Sequence, residues 1–168
     1  MQQVRCDRLT SWAEQLRQAL DEEVPGRERQ WTKAVQAILY DVKEAFQDHS
    51  AAAEASDGPL ATMNRESPAT LPTVNRRISG LRWEHIELLE HIVALEKYVQ
   101  DALEAFESRA TVESASDHLP APRRDGAIPD FGLIRGRGLK LLVALERHEE
   151  AESLLVLDTV NTDIGVGD

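Results

Sequence analysis

Residues 81–99, LRWEHIELLEHIVALEKYV, carry the pattern that decides the fold of this chain. Apolar side chains recur every three or four residues, which is the spacing that places them on one face of an α-helix. The residues on this stripe are Leu81, His85, Leu88, Leu89, Ile92, Leu95 and Val99. The pattern continues in both directions and predicts a helix over about 72–107, with Pro72 in its first turn.

Three further segments show the same periodicity and are predicted to be helices. The predicted ranges are 3–23, 28–55 and 132–160. Proline and glycine mark where two of these helices end, because neither residue continues a helix well. Pro25 and Gly26 follow the first helix, and the sequence Asp57-Gly58-Pro59 follows the second.

The connections between the helices differ in length. The stretch before the third helix is predicted to be a loop with room for one short turn. Residues 109–130 contain three prolines and are predicted to be a long loop. Four long amphipathic helices with a tight first turn predict a single all-α domain over residues 1–168, an antiparallel up-down-up-down four-helix bundle. The alternative is an irregular all-α fold built from the same helices.

Composition and charge narrow the class of partner. Of the 168 residues, 42% are hydrophobic and 29% are charged, as in a folded domain. The net charge of −11 argues against nucleic acid as a partner, because its phosphates are bound by Lys and Arg, and against an anionic membrane surface.

No apolar run approaches the ~20 residues that span a bilayer, and the N-terminus lacks the apolar segment of a secretory signal. The single cysteine, Cys6, cannot form an internal disulfide. We therefore expect a cytoplasmic protein.

Three of the five histidines lie in line with the apolar stripes, each on a different predicted helix. They are His49, His85 and His148. At a rise of ~1.5 Å per residue, counting from the turns places them at compatible depths, and Glu152 faces the same way as His148. A metal ion would compensate the buried carboxylate, and imidazole with carboxylate suits iron, zinc or manganese. The alternative is three core histidines with ordinary hydrogen-bond partners. Of the other two histidines, His91 is predicted to be solvated, and His118 is predicted to lie in the long loop.

Three phrases of the sequence resemble the hemerythrin-like, or HHE-type, domain family. The family's final helix carries an H-x-x-x-E phrase that is similar to LERHEEAESLL at 145–155. Its third-helix and second-helix histidine phrases are similar to LRWEHIELLEHIVALE at 81–96 and VKEAFQDHSAAAEASDG at 42–58. The resemblance implies a four-helix bundle with a non-haem di-iron centre that binds or senses oxygen, or handles iron. The ligands that it implies are His49, His85, His148 and Glu152.

The sequence departs from the family's pattern at two places. The first helix contains no histidine to supply a ligand. The candidates to replace that ligand are Cys6, Asp7 and Glu14. The second helix carries Ala53 where the family has a glutamate, and Glu54 comes one residue late, which turns it by about 100° on a regular helix. Either a π-bulge brings Glu54 back to the metal as a further ligand, or Glu54 is solvated at the helix end.

These departures leave open a di-iron centre, a mononuclear site and an empty one. We expect a non-haem iron-binding protein that binds or senses oxygen or a related small molecule, without enzymatic activity. The alternative is a metal-free helical interaction module derived from a hemerythrin-like ancestor. An iron enzyme that oxidises a substrate is a third hypothesis, for which the sequence shows no substrate pocket.

Overall fold

The structure, a computed structural model, describes the backbone of residues 2–22, 25–66, 72–115 and 130–164. Side chains are described for 8–22, 25–65, 73–109 and 130–158. Within these residues the chain forms α-helices joined by turns, and no β-strand. The helices are α1 (Gln2–Asp21), α2 (Glu28–Glu54), α3 (Pro59–Glu66), α4 (Pro72–Ala115) and α5 (Phe131–Ile164). The all-helical prediction is therefore confirmed.

Each of the four long helices begins within one residue of its predicted start. The predicted end of α4 at 107 is wrong, because the helix continues to Ala115. The predicted loop over 109–130 therefore begins too early. The physical reason is that no glycine or proline occurs between Gly80 and Pro120, so nothing in the sequence stops the helix at 107. Residues 116–129 lie outside the described part of the chain.

The stretch predicted as a loop before α4 contains the eight-residue helix α3. Pro59 is its first residue, where a fixed φ and a missing N–H suit a helix start. The helix buries Leu60 against Val74 and Ile78 of α4, which explains why this segment folds as a helix although its neighbours are turn-forming residues. The prediction allowed one short turn here, and a helix of two turns forms instead.

The apolar stripes of the four long helices meet in one core. Helix α1 contacts α2 and α5, α2 contacts α4, and α4 contacts α5, so that the contacts fit a helical bundle. A smaller apolar cluster lies at the end where α3 packs against α2 and α4. Between the two apolar clusters, measured along each helix, lie the three histidines that the sequence places on the stripes. The packed helices therefore contain one polar layer between two apolar ones.

No helix in the described residues has both the length and the apolar composition needed to cross a bilayer. The longest, α4, has 44 residues but carries charged side chains along its outer face.

Gly58 allows the chain to turn closely over the last carbonyls of α2. A Cβ at this position would lie 2.4 Å from the carbonyl oxygen of Ala52 and 2.7 Å from that of Ala53. The Gly58→Ala substitution is therefore expected to lower the free energy of unfolding by about 1–3 kcal/mol, as overpacking does elsewhere. Gly80→Ala is the matched control, because a Cβ there meets nothing within 4 Å and alanine favours a helix.

Denaturant unfolding of the two variants checks this prediction. We expect Gly80→Ala to be as stable as the wild type or more stable, by up to about 1 kcal/mol. Equal stabilities of the Gly58→Ala variant and the wild type would contradict the close approach at Gly58.

Candidate metal centre

The three stripe histidines and Glu152 come together at one point in the bundle. His49 lies on α2, His85 lies on α4, and His148 and Glu152 lie one helical turn apart on α5. Each of the four offers one ligand atom, and these four atoms all lie within 4.8 Å of one another. The histidines are 8%, 3% and 2% exposed, so the layer is almost closed to solvent. Among the described side chains this is the group with the composition and spacing of a metal site.

The carboxylate of Glu152 lies at the centre of the group. Its Oε2 is 3.2 Å from Nε2 of His49, and its Oε1 is 3.5 Å from Nε2 of both His85 and His148. Charge-assisted hydrogen bonds are shorter, about 2.7–2.9 Å. In agreement with this, the three Nε2 atoms are buried without a hydrogen-bond partner. Three buried nitrogens without hydrogen-bond partners therefore face one carboxylate, and the group could hold a metal ion.

A single transition-metal ion fits this arrangement. Imidazole nitrogens and carboxylate oxygens bind such ions at about 2.0–2.2 Å, so donors on opposite sides of one ion are about 4.2 Å apart. The four ligand atoms lie within 4.8 Å of one another, a spread that is about 0.6 Å larger than this value and that side-chain rotations would close. The donor set of three imidazoles and one carboxylate is also one that iron, manganese and zinc accept.

Two further carboxylates lie on the opposite side of two of the imidazole rings. Nδ1 of His85 lies 2.7 Å from Oε1 of Glu54, and Nδ1 of His148 lies 2.9 Å from Oε2 of Glu84. These are hydrogen-bond distances, and both join neighbouring helices: α2 to α4, and α4 to α5. Each of the two rings therefore has Nδ1 bound to a carboxylate and Nε2 directed inward.

Phe46 forms the apolar wall of the layer. Its side chain is fully buried, and its ring centroid lies 6.0, 5.9 and 6.2 Å from those of His49, His85 and His148. Because one rigid ring contacts all three imidazoles, it limits their rotation. Phe46 is therefore the apolar neighbour that the three imidazole rings share.

Electrostatics keep Glu152 ionised in the core. Burial alone would raise the pKa of Glu152, but the imidazoles of His148, His49 and His85 outweigh it and lower that pKa well below its ordinary range. Burial alone would likewise lower the pKa of His148, but contacts with Glu152 and Glu84 outweigh it and raise that pKa above its ordinary value. Both shifts reflect favourable contacts between the Glu152 carboxylate and the imidazoles around it.

Glu54 does not lie among the converging ligand atoms. Helix α2 remains α-helical through Glu54, so the extra residue after His49 is not absorbed by a π-bulge. Glu54 is instead rotated away from the centre and reaches the outer nitrogen of His85, with 39% of its side chain exposed. The sequence predicts Glu54 to be either an inner ligand or a solvated residue at the helix end. Neither prediction includes its contact with the outer nitrogen of His85.

Helix α1 supplies no ligand within the described residues. The side chain of Glu14 is 57% exposed and pairs with Arg17 at 3.5 Å. The side chains of Cys6 and Asp7 lie outside the described part of the chain, as does His118. His91 is exposed, as predicted.

Glu84 is the site residue that sequence reasoning missed. It directly precedes His85, and the sequence places it with the solvated residues of its helix. Its partner is a histidine of α5 rather than its own neighbour, so no spacing within α4 could have indicated the contact.

Comparison with protein-family models, with curated proteins and with solved structures found no match to this chain. The resemblance to hemerythrin-like domains therefore stays a prediction, and the geometry of the histidine layer is what bears on function.

Proposed function

We propose that this protein binds one transition-metal ion in the core of a four-helix bundle, through Nε2 of His49, His85 and His148 and the carboxylate of Glu152. The observation that carries the proposal is the set of three buried Nε2 atoms without hydrogen-bond partners, all facing one ionised carboxylate. Leaving a buried polar group unsatisfied destabilises a fold by about 1–3 kcal/mol. Three such groups at one point are accounted for most simply by a cation that all three bind.

We infer that the four long helices alternate in direction, in an up-down-up-down order. Support comes from the pairs between α2 and α4: Arg29, early in α2, contacts Glu107, whereas Lys43, later in α2, contacts Glu96. The order is reversed along the two helices, as in an antiparallel pair. This arrangement brings a histidine late in α2 level with one early in α4.

The number of donors favours one ion over two. The hemerythrin-like resemblance implies a di-iron centre, which needs a ligand from the first helix and a second inner carboxylate. In the described residues neither is present, because α1 contributes no ligand to the group and Glu54 contacts the outer nitrogen of His85. We therefore propose a mononuclear site.

Iron is the metal that we propose, with manganese and zinc as the competitors that the same donors accept. A bound iron ion would be held by these four residues and would supply the chemistry for binding oxygen or a related small molecule. A groove of about 600 Å³ between α4 and α5 includes Glu84 and His148 in its lining. The proposed role is binding or sensing such a molecule.

A metal-free interaction module is the alternative function. The raised pKa of His148 supports it, because a protonated imidazole could balance the charge of Glu152 without a metal. The contact distances of 3.5 Å between Nε2 of His85 and His148 and Glu152 speak against it, because a protonated imidazole would form a shorter bond.

Metal content and thermal stability test the proposal directly. Protein from iron-supplemented cells is expected to contain about one metal ion per chain. Adding Fe(II), Mn(II) or Zn(II) to metal-stripped protein at about 100 times the Kd should stabilise the fold by about 2.7 kcal/mol. For a domain of this size that raises Tm by about 5–10 °C.

The His91→Ala variant is the control, because His91 is exposed and outside the group, and its response to metal should equal that of the wild type. Purified protein without bound metal, together with a Tm that none of the three ions changes, would support the metal-free module instead.

A further inference from the structure

Two partly exposed carboxylates lie behind the metal-facing imidazoles. Glu54 and Glu84 are 39% and 45% exposed, whereas the side chains of His85 and His148 that they contact are 3% and 1% exposed. Each contact reaches from a helix surface into the polar layer. Neither glutamate belongs to the group whose atoms converge.

We propose that Glu54 and Glu84 are positioning residues that hold His85 and His148 in the tautomer required for metal binding; the proposal rests on the function proposed above. An ionised carboxylate can only accept a hydrogen bond. At distances of 2.7 and 2.9 Å, Nδ1 of each imidazole must therefore carry the proton and donate it to the glutamate. In a neutral imidazole, Nε2 then has a free lone pair.

The inward side of the same rings agrees with this assignment. Nε2 of His85 and Nε2 of His148 are buried without hydrogen-bond partners. In the opposite tautomer each Nδ1 lone pair would face a carboxylate oxygen at 2.7 or 2.9 Å, and the Nε2–H would face Glu152 only at 3.5 Å. The two closer contacts therefore favour the tautomer in which Nδ1 carries the proton and Nε2 can bind a cation.

The same contacts fix the orientation of the rings. Each bond crosses between helices, with Glu54 of α2 contacting α4 and Glu84 of α4 contacting α5. A carboxylate on one side and Phe46 on the other leave each ring little freedom to rotate. Glu54 lies one residue after Ala53, the position of the inner ligand in the hemerythrin-like pattern. This offset turns Glu54 toward the outer nitrogen of His85.

The test uses the variants Glu54→Ala and Glu84→Ala in the full chain. The controls are Asp57→Ala and Glu87→Ala, each of which removes an exposed carboxylate three residues after one of the two glutamates. Nitrogen-15 NMR of metal-free protein, about two pH units above the ordinary pKa of histidine, reads the tautomer of each ring. Titration with Zn(II) gives the affinity of each variant.

In the wild type and the controls we expect Nδ1–H signals for His85 and His148. Each alanine variant should lose the single tautomer of its own histidine and bind Zn(II) about 10–100-fold more weakly. Glu54→Gln and Glu84→Gln keep a neutral acceptor in place and should recover part of that loss.

Nε2–H tautomers in the wild type, or alanine variants with the affinity and tautomers of the controls, would overturn the positioning role. These results differ from failure of the proposed function, in which the wild type itself binds no metal. In that case the tautomers of the metal-free protein still decide whether the glutamates orient the rings.

Discussion

Replacing Glu152 by glutamine is expected to weaken metal binding by more than about 100-fold and to leave the bundle folded. Among the described side chains, Glu152 is the one carboxylate whose oxygens lie within 3.5 Å of all three inward-facing nitrogens. Glutamine has nearly the same shape but carries no charge, and its amide N–H₂ cannot bind a cation. Loss of an outer partner alone typically reduces metal affinity 10–100-fold, so the loss of the charged inner ligand should exceed that range.

Competition of each protein with a chelating dye for Zn(II) or Mn(II) measures this effect. Glu150→Gln is the matched control, because it makes the same chemical change on an exposed face of the same helix, two residues away. Circular dichroism and denaturant unfolding establish that both variants are folded. An affinity of the Glu152→Gln variant within about threefold of the control would mean that the metal, if bound, is held elsewhere.

Replacing Phe46 by alanine is expected to lower the free energy of unfolding by about 3–5 kcal/mol. Phe46 is fully buried and contacts the three imidazoles as well as the apolar core of the bundle. Domains of this kind are stable by about 5–15 kcal/mol in total, so this is a large share. The cavity also frees the imidazoles to rotate, and metal should stabilise this variant less than the wild type.

The Phe46→Leu variant separates the two effects, because leucine keeps most of the apolar volume but lacks the flat ring. We expect it to lose less stability than the alanine variant and still to bind metal more weakly than the wild type. Urea unfolding with and without Zn(II) gives both quantities. A Phe46→Ala variant within about 1 kcal/mol of the wild type would show that Phe46 does not support this layer.

Much of the fold could be predicted because helix formation depends on local pattern. The stripe through Leu81, Leu88 and Leu95 identified α4, and its start at Pro72 was correct. The predicted end of α4 at 107 is too early, because no glycine or proline occurs between Gly80 and Pro120 to stop the helix there. Helix α3 was missed because its burial depends on Val74 and Ile78, which belong to another element.

The site could be predicted in part for the same reason. His49, His85 and His148 each share the direction of their helix's apolar stripe, and a residue on that stripe faces the core. The contacts of Glu54 and Glu84 are harder to predict from the sequence, because a carboxylate at the edge of a helix face can reach either inward or along the surface.

The amino-acid pattern is enough to establish an all-helical chain with three inward-facing histidines and a carboxylate on the same side as His148. Periodicity specifies the direction of each side chain from its own helix axis, and nothing more. The packing of α2, α4 and α5 against one another sets the remaining features: the convergence of the Nε2 atoms, the placement of Glu54 behind His85, and the contact of Glu84 with a histidine 64 residues away. These features depend on the distances between helices. The distances are set by how the side chains of all the helices fill the core together.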